Sequence, residues 1–152
     1  DALAEIAANK GMQLAHVKPH GALYNAAAQH ETIAAAIAQA VAAWDASLIL
    51  LVLSGSRLIE AGRAAGLTVM QEVFADRRYQ RDGQLVSRET HGALITDPVT
   101  AADQAYALAH DQPIYALDGS PLRLAADTLC LHSDTPDAIG IARAVSQALN
   151  RG

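Results

Sequence analysis

Four short apolar runs limit what this chain can fold into: Gln13 to Val17, Leu48 to Leu53, Thr68 to Phe74 and Thr128 to His132. None alternates cleanly between apolar and polar residues, which is the pattern of strands covered on both faces. Between them lie helical patterns. Leu23 to Trp44 is Ala-rich and is expected to break near His30-Glu31, and Ser56 to Ala65 is a second. Pro98 to Ala109 is a third, with Asp97 as N-cap and Pro98 at the first helical position. The fourth is Pro136 to Leu149, capped by Asp134 or Thr135 and stopped by Gly152, while Asp1 to Gly11 reads as the end of a helix. Alternation of this kind implies parallel strands joined by right-handed helical crossovers, so the expected class is α/β, built of parallel β/α units. A weaker strand-like run lies at Pro113 to Ala116. No repeat, low-complexity tract or linker divides the chain, and residues 1–152 are expected to form a single domain.

Composition narrows the function. With 51% hydrophobic residues, 152 residues suffice for a core that buries roughly 68–70% of the unfolded surface. Eleven basic against sixteen acidic residues give a net charge of −5, and the basic ones are scattered, so nucleic acid and anionic membranes are poor partners. The longest strongly apolar run, Leu48 to Leu53, falls far short of the ~20 residues of a membrane helix. Nothing resembles a signal peptide, and the single cysteine, Cys130, sits in an apolar run; both suit a soluble protein of a reducing cytoplasm.

Chemistry concentrates at the ends of the strand-like runs, where α/β folds gather their ligands. The first run ends in His16-Val17-Lys18-Pro19-His20-Gly21-Ala22-Leu23-Tyr24-Asn25. Pro19 fixes φ and Gly21 permits a tight turn, which aims His20 back toward the strand ends. Lys18 suits an anionic group, and His20 suits proton transfer or a metal. The plainer readings are a snorkelling lysine and a histidine that caps the next helix. Tyr24 and Asn25 open the helix within reach of the same loop. His16 is expected in the core, and His30 and His110 in solvent.

The last run ends in His132-Ser133-Asp134, where residues two apart on an extended segment share a side, so Asp134 is expected to orient the His132 imidazole. The competing reading makes Asp134 a helix cap. Between these blocks, Ala75 to Ile95 is a long irregular stretch carrying Arg77, Arg78, Tyr79, Arg81 and Arg88. Guanidinium forks suit carboxylates and phosphates, and irregular segments of this length are usually functional or disordered. There is no Gly-Lys-Ser/Thr phosphate loop, Cys-x-x-Cys, His-Glu-x-x-His or Gly-x-Ser-x-Gly, and Leu53-Ser54-Gly55-Ser56 reads as a turn with a helix cap.

Three blocks, His16 to Asn25, Glu72 to Arg88 and Cys130 to Pro136, resemble in this order the signature blocks of the LamB/YcsF family. The likeness departs at Ser133, where the family more usually has Gly, and at His91, where it more often has Pro. The resemblance implies part of a distorted TIM-like barrel, related to polysaccharide deacetylases, with the N-terminal units missing and about three fifths of the usual polypeptide present. It further implies a role in opening the lactam ring of 5-oxoproline to L-glutamate. ATP is then required by a complex with two other 5-oxoprolinase subunits, which agrees with the lack of a phosphate loop here.

In that setting His20, His132 and Asp134 are the expected catalytic residues, handling protons. Lys18 and one of Arg77 or Arg88 are expected to hold the substrate carboxylate or a phosphorylated oxygen, with Tyr24 and Asn25 beside them. A divalent metal stays unassigned, because the carboxylates to complete its site would lie on the missing segment. Two rivals remain open: a metal-dependent carbohydrate or amide deacetylase-like hydrolase, and a non-catalytic scaffold. A homo-oligomer covering an exposed sheet edge is also left open.

Overall fold

In the computed structural model, which describes residues 2–150, the chain divides into two compact units. One comprises Asp1–Val52 and Ser56–Met70, the other Leu53–Gly55 and Gln71–Gly152. The elements in chain order are α1 (Ala2–Asn9), β1 (His16–Val17), α2 (Gly21–Gln29), α3 (Glu31–Asp45), β2 (Ile49–Leu53), α4 (Arg57–Ala64), β3 (Thr68–Phe74), α5 (Pro98–Ala109), β4 (Ile114–Tyr115), β5 (Pro121–Leu122), β6 (Thr128–Cys130) and α6 (Ala138–Leu149). Asp1 and Gly152, the expected ends of the first and last helical patterns, lie outside the described residues.

In the first unit β1 pairs in parallel with β2, His16 opposite Ile49 and Val17 opposite Leu50. The strand–helix alternation read from the sequence is thus present with the expected direction. The Ala-rich pattern splits at His30, whose extended backbone (φ −106°, ψ 111°) ends α2 and starts α3. Small residues let the helices approach closely: Ala27, Ala34 and Ala38 are fully buried against Leu50, Val52, Leu58 and Leu67. Each fully buried Leu or Val contributes roughly 1.5–3 kcal/mol. Pairing of Val17 with Leu50 turns Val17 toward the helices and leaves His16 on the opposite face, exposed. His16 is therefore no core histidine, because the strand's alternation puts it on the side that the helices do not cover.

The second unit is built on a parallel pair, β3 with β6, in the register Glu72–Thr128, Val73–Leu129 and Phe74–Cys130. Helices α5 and α6 cover one face. Their core joins Ala75, Ile95, Ala101, Ala105, Ile141 and Val145, with Leu129 and Leu131 packed against it. Asp97 caps α5 as expected, accepting from the Thr100 N–H (2.8 Å) and hydroxyl (2.6 Å). Two expectations fail. The weak run near Pro113 forms an antiparallel hairpin, Ile114 opposite Leu122 and Tyr115 opposite Pro121, rather than a parallel strand. The cap of α6 is Asp137, in the left-handed region at φ 56°, and its carboxylate accepts from the Gly140 N–H. Asp134 and Thr135 are spent on other partners.

Gly62 on α4 meets β3 with no room to spare, since a Cβ there would lie 2.7 Å from Val69 Cγ2 and 3.1 Å from Leu50 Cδ2. Alanine would gain roughly 1 kcal/mol of helix propensity. Overpacking against a stiff β-branched side chain costs about 1–3 kcal/mol and should win. Gly62→Ala is thus expected to lower the urea midpoint without changing the slope; an unchanged or higher midpoint would show that the contact yields freely.

Candidate functional site

The residues singled out from the first strand end occupy the first unit. Lys18 follows β1 half-buried, its Nζ 5.8 Å from the centre of the Tyr24 ring, within cation–π range. Tyr24 is buried on α2, whereas Asn25 is exposed. His20 is exposed at the N-cap of α2 with an extended backbone, and its ring makes no cap hydrogen bond, so the capping reading lapses. Gly21 takes φ +61°, the left-handed turn the sequence suggested.

In the second unit, strand alternation separates two faces. Leu129, Leu131 and Ala75 turn toward α5 and α6, so Phe74, Asp76, Cys130 and His132 turn away from them. The Phe74 and His132 rings stack on that second face, centroids 5.2 Å apart and planes 11° from parallel. Beyond His132 the chain turns at Ser133-Asp134, so residues two apart no longer share a side. Asp134 consequently does not orient His132. Its carboxylate pairs instead with the Arg88 guanidinium at 2.8 Å.

The partner of His132 is Asp76, a residue the sequence did not mark for this role. Asp76 is 1% exposed. Its carboxylate accepts from the His132 backbone N–H (3.1 Å) and the Thr135 hydroxyl (2.6 Å), and both of its oxygens lie 3.0 Å from His132 Nδ1. Burial raises the Asp76 pKa, but the hydrogen bonds from His132 and Thr135 and the imidazole's charge outweigh it and hold the group below its ordinary 3.8. An ionised carboxylate against Nδ1 fixes the proton on that nitrogen, which leaves the lone pair of the neutral ring on Nε2. The His132 side chain keeps 23% of its surface exposed. An open groove of about 670 Å³ lies on the α6 side of the same segment, between Leu131–Ser133 and the Ala138, Ala142 and Arg143 face of that helix, whereas the ring stands on the face turned away from α6. The imidazole so held suits a general base or acid.

The irregular stretch from Ala75 to Ile95 has an internal skeleton. Tyr79 is fully buried, and its hydroxyl oxygen accepts from the Phe74 N–H at 2.7 Å; burial pushes its pKa up, so it stays neutral. From α5, Gln104 Nε2 donates to the carbonyls of Phe74 (2.8 Å), Ala75 (3.3 Å) and Arg77 (2.9 Å). Arg77 is buried too, its Nη2 donating to the Val86 carbonyl at 2.6 Å. Arg77 therefore braces the loop, and Arg88 is the exposed one of the pair of arginines considered for an anion. Among the described residues, no group of three or more His, Cys, Asp and Glu side chains is arranged to hold a metal ion. No helix among them is long and apolar enough to cross a membrane.

Asparagine at position 76 cannot accept from all three of its donors, so Asp76→Asn should cost roughly 1–3 kcal/mol at neutral pH. Because the folded-state pKa is depressed, the wild-type advantage is complete above the ordinary 3.8 and is lost as pH falls through the folded value. In urea titrations of both proteins from pH 7 downward, the gap should hold until about the ordinary 3.8 and narrow below it; a gap that stays constant there would mean that Asp76 is not the charged anchor described.

The model of the LamB/YcsF family matches residues 1–152. Among similar proteins, the 5-oxoprolinase A-type subunit of Chloroflexus aggregans is 49% identical over 97% of this chain and 59% of its own. The protein of the same name from Bordetella pertussis is 51% identical over 99% of this chain and 60% of its own. A solved structure, the lactam utilization protein from Thermus thermophilus, superposes with a TM-score of 0.88 at 45% identity, covering 99% of this chain and 60% of that one. The expected fold class, parallel β/α units of a TIM-like barrel, is borne out by this likeness. The chain spans about three fifths of the length of the curated relatives it matches. A family model that takes in every residue, with relatives about half identical along nearly the whole chain, establishes that this chain belongs to the LamB/YcsF family.

Proposed function

We propose that the chain supplies proton-transfer and substrate-binding residues to a 5-oxoprolinase, which opens the lactam of 5-oxoproline to L-glutamate in an ATP-dependent complex of several subunits. Two relatives named as 5-oxoprolinase subunits and a structural neighbour named for lactam utilization support the substrate class. The observation that carries the chemistry is the His132 imidazole held by the buried Asp76 carboxylate with part of the ring still open to solvent. The single cysteine, Cys130, favours a reducing cytoplasm as the place of action.

A lactam resists hydrolysis because its nitrogen lone pair is delocalised into the carbonyl. Opening it needs an activated carbonyl, an attacking water that loses a proton, and a ring nitrogen that gains one. His132 Nε2 is assigned the proton transfers, with Asp76 stabilising the imidazolium that forms in between. Carbonyl activation by ATP is assigned to the other subunits, since this chain has no phosphate-loop motif. Lys18 and Arg88 are assigned to anionic groups of the substrate, and His20 to a further proton transfer. Tyr24 and Asn25 support the Lys18 loop.

The test is glutamate formation from 5-oxoproline, with ATP consumption followed in parallel, by the full-length polypeptide assembled with its neighbouring subunits. Replacing His132 with Gln should cut kcat by about 100-fold or more, in line with loss of a general acid–base group. Lys18→Met should act mainly on KM. Turnover near wild type in the His132 variant removes the catalytic assignment, and release of acetate from an N-acetylated sugar by the same preparation would favour a deacetylase.

A further inference from the structure

The ion pair between Arg88 and Asp134 joins the irregular stretch to the turn that follows His132, and it is made by one oxygen on one nitrogen, Oδ2 to Nη1 at 2.8 Å. Both side chains face solvent, 42% exposed for Arg88 and 66% for Asp134. A guanidinium offers five N–H donors in a planar fork that matches the two oxygens of a carboxylate side by side. Asp134 uses one of them. Solvent screening makes such an exposed pair weak, so exchanging one carboxylate for another at Arg88 costs little, and a partner that engages the fork with both oxygens is favoured.

Arg77 is no competitor for this role, being buried and donating to the Val86 carbonyl. His132, two residues before Asp134, is immobilised by Asp76. An anion on Arg88 therefore sits at the turn two residues after His132, within reach of the imidazole's charge, which also acts on Asp134. The hydrogen bond from Arg88 lowers the Asp134 pKa, so at neutral pH Asp134 is a charged occupant.

We propose that Asp134 is a stand-in for the substrate: it holds Arg88 until substrate arrives and is displaced by the carboxylate of an anionic lactam. The inference rests on the lactam reading above and adds a source of specificity to it. A ring that bears a carboxylate is distinguished from a neutral one because only the former can take over the guanidinium. Asp134 then sets the affinity through competition and has no part in moving protons.

The experiment measures, on the full-length polypeptide assembled with its neighbouring subunits, the dissociation constants of 5-oxoproline and of 2-pyrrolidinone, the same ring without its carboxylate. The quantity read is the preference for the anionic ring. Arg88→Gln should lower that preference by about tenfold, the loss of a charge-assisted fork. Asp134→Asn should raise it about threefold, and this gain should vanish in the double variant, since nothing remains to compete for. A gain of equal size with and without Arg88 would mean simple charge repulsion and would overturn displacement, as would an unchanged preference in Asp134→Asn. Wild-type assembly that fails to turn over 5-oxoproline would instead overturn the lactam reading, so the two failures are separable.

Discussion

A buried carboxylate that accepts from three donors organises the second unit. Asp76 leaves the end of β3 and binds the backbone and ring of His132 and the hydroxyl of Thr135, all in the segment after β6. Its own carbonyl accepts from the Ile95 N–H at 2.9 Å, which closes the irregular stretch back onto the strand end. A charge at 1% exposure is costly unless fully hydrogen-bonded, and here the bonds that neutralise the cost are the ones that orient the imidazole. Stability of the loop and readiness of His132 are thus set by one group.

The elements themselves were legible because each announces itself locally. Thr68–Phe74 and Pro98–Ala109 appear with the expected bounds, and the break at His30 falls where the Ala-rich pattern falters. Short strands lost residues at their ends, since pairing, which the sequence does not display, decides how far a strand runs: β1 keeps two residues of the five expected. The partner of Pro113–Ala116 lies across a turn at Asp118–Gly119, in a run too short and too polar to stand out as a strand.

The site was legible in its residues and illegible in its pairings. His132, Asp134 and Arg88 were all marked, yet the sequence paired the wrong two, because local spacing suggested His132 with Asp134 while the bonds run from His132 to Asp76 across 56 residues and from Asp134 to Arg88 across 46. The signal for Asp76 was present: an acid two residues past an apolar strand, in the loop where such folds place chemistry. Arg77 and Arg88 look alike in the sequence, and only burial tells the brace from the exposed cation. Gln104 carried no signal at all, since a glutamine within an Ala-rich helix reads as solvated.

That glutamine divides the frame around His132 into parts of different character. Gln104 Nε2 has two hydrogens for three carbonyls, so at least one is shared, and none of these contacts carries an ionisable proton. The root of the stretch after β3 is consequently fastened by groups indifferent to acidity, whereas the link from Asp76 to the turn after β6 loosens once its carboxylate is protonated. Only acid strong enough to protonate Asp76, below its ordinary 3.8, would loosen the histidine's side of the frame, and the contacts of Gln104 would persist there.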